Sequence, residues 1–198
     1  MISTNTIDTT STTESDKSPA AVVLVRYGVV PQVARFAAPD EVAQSIAVRQ
    51  VHGMRVVVDT DRGTEVGHLL EVVRNAIVSE DKALTGSVLR LSTAADEDRF
   101  VENRQKADRE FFEWQVRVSD WGLELQLIDL EWTLDQQNLI LYVLNGQNAE
   151  TTRLALLAAA AGLGIVHVQP VEADGIVQQT SGGGGCGSGG CGSGGCGS

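Results

Sequence analysis

The sequence predicts an α+β fold, a β-rich first half followed by an α-β-β-α-β second half. Three observations predict it. β-Branched runs broken by Gly, Pro and Asp fill residues 21–92. One uninterrupted helical period spans 94–120. Two apolar runs, 139–144 and 164–169, flank an Ala-rich stretch, the order of a strand–helix–strand crossover.

The ends lie outside this fold. Residues 1–20 are rich in Ser and Thr, and 173–198 are mostly Gly, Ser and Cys. Neither can bury enough apolar surface to offset the entropy of ordering it, so both are expected to be disordered. The packed part divides into a β-rich subdomain over 21–92 and a second domain over 93–172.

Residues Ala21–Tyr27 read as a strand, with Val33–Ala38 as its hairpin partner across Gly28 and Pro31. Pro39-Asp-Glu looks like a helix start, but the segment is short and leaves residues 39–50 ambiguous. Met54–Thr60 is a second clear strand, and Asp61-Arg62-Gly63 a tight turn in which Gly supplies positive φ. Thr64–Val73 returns as a strand, where Gly67 is expected to mark a bulge. Ser87–Leu91 adds another, and the sheet is expected to curl.

In the long helix Phe100, Ala107, Phe111, Trp114 and Val118 form one apolar stripe, and Gly122 ends it. Leu123–Thr133 and Leu139–Leu144 read as a hairpin turning at Asp135–Asn138. The second strand is apolar on both faces, which predicts a central strand covered by helices. A helix follows over 149–161, with Asn148 as N-cap, Glu150 in its first turn, and Gly162 or Gly164 as its stop. Gly164–Gln169 is the last strand, which Pro170 is expected to end.

Charge narrows the function. Lys and Arg number 15 against 26 Asp and Glu, a formal net charge of −11. A chain this acidic repels nucleic acid and anionic membranes, which disfavours direct nucleic-acid binding. The longest apolar stretch, Leu154–Ile165, is too short for a membrane span and holds two glycines. No basic patch followed by an apolar core opens the chain, and all three Cys fall in the tail. A cytoplasmic protein is expected.

No catalytic set stands out. Ser45, Ser79, Ser87, Ser92 and Ser119 are scattered through the packed part, and His52, His68 and His167 fit no spaced metal motif. Gly162-Leu-Gly164 lacks the Lys-Ser/Thr of a phosphate loop. Asp129 and Glu131 alternate on a strand, which fits an acid pair and equally a polar face toward a partner. Trp114, Trp121 and Trp132 bracket the helix–hairpin junction as packing residues, or as interface anchors where exposed.

The second half also resembles the polymerase-suppressor (PSP) C-terminal domain of bacterial YaaT-like proteins. The resemblance covers about 93–171. It is carried by Glu97-Asp-Arg-Phe-Val-Glu-Asn103, by Trp121-Gly-Leu-Glu-Leu-Gln-Leu-Ile-Asp129-Leu-Glu131-Trp-Thr133, by Leu139-Ile-Leu-Tyr142-Val, and by the helix containing Arg153. In the first half Val58-Asp-Thr-Asp-Arg62-Gly63-Thr-Glu65-Val-Gly67 is similar to the family's strand–turn–strand. The resemblance implies a non-catalytic adaptor working through protein–protein contacts. It also implies a complex linked to RNA maturation or regulatory signalling, whose cluster-bearing segment with paired cysteines this chain departs from. Arg62, Glu65 and Asn103 fall on family-pattern positions, and with Asp129 and Glu131 they are the candidate partner-binding residues. For Arg62 a structural pairing with Glu65 across the turn is the alternative.

The tail repeats Cys186, Cys191 and Cys196 five residues apart in Gly and Ser. Three soft thiolates on a flexible chain can take up zinc or an iron–sulfur cluster. Zinc pairs are usually spaced more tightly, and nothing in the repeat orients the ligands. The leading expectation is therefore a non-enzymatic adaptor without a cofactor and without a small-molecule substrate. A nucleic-acid-associated factor and a thiol-metal or iron–sulfur carrier are the alternatives.

Overall fold

In the computed structural model of the chain, residues 21–48, 53–73, 83–144, 146, 148–173 and 175–177 are described. The Ser/Thr-rich start, the Cys tail, His52 and Ser79 lie outside them. The fold is α+β, with strands dominant.

The first half holds β1 (Ala21–Tyr27), β2 (Gln32–Ala38), α1 (Asp40–Val48), β3 (Arg55–Thr60), β4 (Gly63–Val73) and β5 (Gly86–Leu91). The strands close into a barrel in the order β1-β2-β5-β3-β4, so the expected curl is complete. Alternation drives this closure. Val23, Val25, Phe36, Val56, Val58, Leu69 and Val88 point into one core, and Val42 and Ile46 of α1 join it. The ambiguous stretch after Pro39 is thus a short helix with two residues in the barrel core. Closure rests on a parallel β2–β5 pairing of only Phe36 with Gly86 and Ala37 with Ser87.

The bulge expected at Gly67 lies elsewhere. The β1–β4 register skips from Leu24↔Glu71 to Val25↔Leu69, which leaves Leu70 as the extra residue. Gly67 instead permits a close approach, since a Cβ there would sit 2.3 Å from Val25 Cγ1.

The second half holds α2 (Ala94–Asp120), β6 (Gln126–Trp132), β7 (Asn138–Leu144), α3 (Asn148–Ala160), β8 (Ile165–Glu172) and β9 (Gly175–Ile176). The sheet order is β6-β7-β8-β9, with β7 and β8 parallel across α3. Thr93 caps α2 in a capping box with Asp96. Both long helices end on Gly, where Leu123 N–H reaches Val118 O at 3.3 Å and Leu163 N–H reaches Ala158 O at 3.1 Å. The Asn148 side chain is outside the described part.

Two expectations need correction here. Pro170 does not end the last strand, which runs to Glu172, and within the stretch expected to be disordered a further short strand, β9, stands at Gly175–Ile176. Pro170 O accepts from Val177 N–H at 3.0 Å. The reciprocal bond is impossible because proline has no N–H. Gln169 Nε2 fills the gap by donating to Val177 O at 3.1 Å. The second correction concerns β7, which is buried from Leu139 to Val143 but has helices on only one face. There Leu139, Leu141 and Val143 meet Ala107, Trp114 and Val118 of α2 and Leu154 and Ala158 of α3. On the other face Ile140 and Tyr142 pack with Val29 and Val30 from the β1–β2 turn. A barrel turn does the covering that a second helix layer would otherwise do.

The start of α2 is tied down by charge. Arg90 of β5 pairs with Asp96, and Arg55 of β3 pairs with Glu97 while lying 4.4 Å over the Phe100 ring. The Asp96 carboxyl is held well below its ordinary range, mainly by Arg90. Burial opposes that shift, and Thr93 adds to it. Because the folded value lies below the unfolded one, this contribution is complete above about pH 4 and is lost as pH falls toward the folded value. Asp96→Asn is expected to lower stability at pH 7 by about 1 kcal/mol. It should also flatten the loss of stability below about pH 4. Urea unfolding of both chains at several acid pH values, followed by tryptophan fluorescence, checks both.

Candidate functional site

Three of the five candidate residues from the sequence, Arg62, Glu65 and Glu131, meet where the barrel touches the second sheet. The β3–β4 turn supplies the first two. Gly63 has φ +124, and a Cβ on it would stand 2.8 Å from Asn138 Nδ2. The turn can therefore press directly onto the start of β7 only with glycine there. Thr60 Oγ1 accepts from Arg62 N–H at 3.1 Å and lies 2.8 Å from Glu65 Oε1.

This geometry folds Arg62 back over its own hairpin. Its Nη2 donates to Glu65 Oε2 at 2.7 Å and its Nε to Oε1 at 3.1 Å, the forked geometry that suits guanidinium and carboxylate. Its Nη1 reaches the Tyr142 hydroxyl at 3.4 Å, and its guanidinium stands 5.3 Å from the Tyr27 ring centre. Tyr142 donates in turn to Glu131 Oε2 at 2.7 Å, and Val29 N–H donates to the same oxygen at 2.9 Å. The chain Glu65–Arg62–Tyr142–Glu131–Val29 runs from barrel to sheet and back to barrel. Two further bonds cross the same seam. Asn138 Nδ2 donates to Arg62 O at 2.7 Å, and Leu134 N–H donates to Thr64 O at 2.7 Å.

Arg62 is 5% exposed and Glu65 2%. Burial pushes the Glu65 carboxyl up to about 7; Arg62 opposes the rise and Glu131 adds to it. Burial works against the Arg62 charge, but Glu65, Tyr142 and Glu131 outweigh it and raise its pKa. Burial also raises the Tyr142 phenol, helped by Glu131, which keeps it a proton donor to that carboxylate.

Asn103 sits beside this network, 3% exposed on the buried side of α2. Its Nδ2 donates to Thr133 O at 2.8 Å and its Oδ1 accepts from Gln136 at 2.6 Å. It pins the β6–β7 turn, where Gln136 adopts φ +60. Asp129 stands apart. It pairs with Arg104 of α2 at 2.9 Å and accepts from Leu130 N–H at 2.8 Å. Asp129 and Glu131 therefore serve different partners rather than one acid pair. Of the two readings open for Arg62, the structure realises the pairing with Glu65. Arg62, Glu65 and Asn103 are interior, so none offers a first-contact surface.

Tyr142, Thr60 and Asn138 belong to the network and were not singled out from sequence. Tyr142 carried a signal. A hydroxyl in a strand apolar on both faces must find a partner inside. His68 and His167 are half-buried strand residues, and burial lowers the pKa of each. Among the described residues no cluster of three or more His, Cys, Asp or Glu is placed to hold a metal. Among them, too, no helix is long and apolar enough to cross a membrane.

Over 93 residues, 46% of this chain, the sequence is 33% identical to the stage 0 sporulation protein YaaT of Bacillus subtilis. The chain spans about a third of that relative, 33% of its length. No family model matches the chain, and no solved structure matches it. The likeness thus supports a relationship to YaaT, and the PSP domain stands on the motif resemblance alone.

Arg62→Met is expected to cost about 3–5 kcal/mol, because it strands buried carboxylates without their cation. The double variant Arg62→Met/Glu65→Met should cost less than the two single changes added together. Tyr142→Phe should cost about 1–3 kcal/mol by removing a donor from buried Glu131. A double-mutant cycle in urea checks all three.

Proposed function

We propose that this chain is a non-catalytic regulatory adaptor of the YaaT kind, acting through protein–protein contacts. The observation that carries the reading is the 33% identity over 93 residues to a protein named for stage 0 of sporulation. The use of the ionisable groups supports it. Arg62, Glu65, Glu131 and Tyr142 satisfy one another inside the fold, where they fix two packed units rather than face a substrate. The net charge of −11 disfavours a broad electrostatic grip on RNA or DNA. Other proteins of a regulatory or RNA-processing complex are the partners proposed, in the cytoplasm.

Affinity capture from the native organism tests this, with and without RNase, using the full chain and a version ending at Val177. Stoichiometric protein partners are expected to survive both treatments. Loss on RNase treatment would replace the adaptor by a nucleic-acid-associated factor. Loss on truncation alone would transfer the contact to the Cys-bearing segment.

The adaptor reading needs no metal. Protein purified without oxygen is expected to carry no more zinc or iron than a variant with Cys186, Cys191 and Cys196 all changed to Ser. Elemental analysis of the two checks this, and an excess in the unaltered chain would favour a thiol-metal or iron–sulfur carrier.

A further inference from the structure

Helix α2 buries one face in the fold and leaves Val101, Phe112 and Val116 exposed along another. The inner face carries Asn103, Ala107, Trp114 and Val118, all buried against the sheet. The outer face carries Val101, Gln105, Asp108, Phe112 and Val116, spaced four, three, four and four residues apart as one helical stripe requires. Phe112 is 72% exposed, Val101 52% and Val116 41%. Other exposed large apolar residues, such as Leu156 and Ile165, stand singly on other elements. Phe112 is the most exposed large apolar residue among the described residues, in the middle of a 27-residue helix.

We propose that this outer face of α2 docks against the same face of a second copy of the chain, with the two helices antiparallel about a two-fold axis midway between Gln105 and Asp108. The argument is self-complementarity. A two-fold contact must place each patch against itself. With the axis midway between Gln105 and Asp108, Phe112 of each copy lies over Val101 of the other. On one flank of the stripe Glu102 and Arg109 are seven residues apart, and the same axis sets each Glu102 against the other copy's Arg109. Both are exposed, and neither makes a hydrogen bond or ion pair within the described residues. The apolar match centres between 106 and 107 and the charge match between 105 and 106, about 1.5 Å apart along the helix, which side-chain reach spans, so one axis serves both. This pairing is independent of the adaptor reading, and it leaves the barrel–sheet junction untouched.

The contact is small. A helix of this length is about 40 Å long, and a stripe about 10 Å wide covers roughly 400 Å² per copy, below the roughly 800 Å² of a standard interface. The dimer is accordingly weak and reversible.

Sedimentation velocity of the full chain from about 5 μM to about 1 mM tests it. Reductant keeps Cys186, Cys191 and Cys196 from cross-linking chains. Expected is a concentration-dependent monomer–dimer shift that Phe112→Asp weakens at least about tenfold. Glu102→Arg and Arg109→Glu should each weaken it by about threefold or more, and the two together should restore it. All three positions are exposed, and circular dichroism confirms that each variant stays folded. A chain that is monomeric throughout overturns the proposal. So does a dimer indifferent to Phe112, or one that the paired reversal fails to restore, since either would place the contact elsewhere.

Discussion

A guanidinium that cannot shed its charge is buried where the barrel meets the second sheet, and the rest of the molecule is arranged around that fact. Arg62 faces Glu65 on its own hairpin, and through Tyr142 it faces Glu131 on the other unit. Removing such a charge from water is costly, so the surroundings must return nearly everything that water supplied. The forked bond to Glu65 returns most of it. The Tyr27 ring and the Tyr142 hydroxyl occupy the remaining sides. Glu131 needs donors of its own and finds them in Tyr142 and in the backbone of Val29. The turns between β1 and β2 and between β3 and β4 are thereby bound to one patch of sheet.

The apolar side of the same junction explains why β7 is hydrophobic on both faces. A sheet needs cover on each side, and the two helices here lie together on one. Val29 and Val30 cover Ile140 and Tyr142 on the other. Apolar contact drives the two units together without direction. The Arg62–Glu65–Tyr142–Glu131 chain supplies direction, because its bonds form in one relative placement only.

The legible and illegible parts of this fold divide by range. Helix α2 could be read to the residue, since its period and its terminal Gly122 are local signals. Strands β1 and β3 were equally plain from β-branched runs, and β7 from an unbroken apolar run. Barrel closure was hidden because it depends on a parallel contact of two residue pairs between strands that are distant in sequence. The persistence of β8 through Pro170 was hidden because Gln169 replaces the missing donor from a side chain. At the junction, Arg62 and Glu65 were visible as a pair across a turn. Their burial was not, since a turn rich in Asp, Arg and Gly ordinarily faces water. The stripe of α2 was read as wholly apolar, yet Asn103 lies on it. A polar residue on a buried face carries no sequence signal of the backbone carbonyl it will serve.

These placements shift where contact with another molecule can occur. The polar residues most readily taken for a partner surface are consumed in holding barrel and sheet together, so their effect on any partner is indirect. They set the angle between the units, and with it the shape of any surface that spans both. What remains outward on α2 is its second stripe, and the inner stripe explains why that one is rigid. Trp114, Ala107 and Val118 lock the helix to the sheet, and Arg90 and Arg55 fasten its start to the barrel. Side chains on the outer face are therefore presented from a helix fixed at both units. Such a surface can be complementary to a partner without ordering itself first, which lowers the entropic cost of the contact and favours small interfaces that form and release quickly.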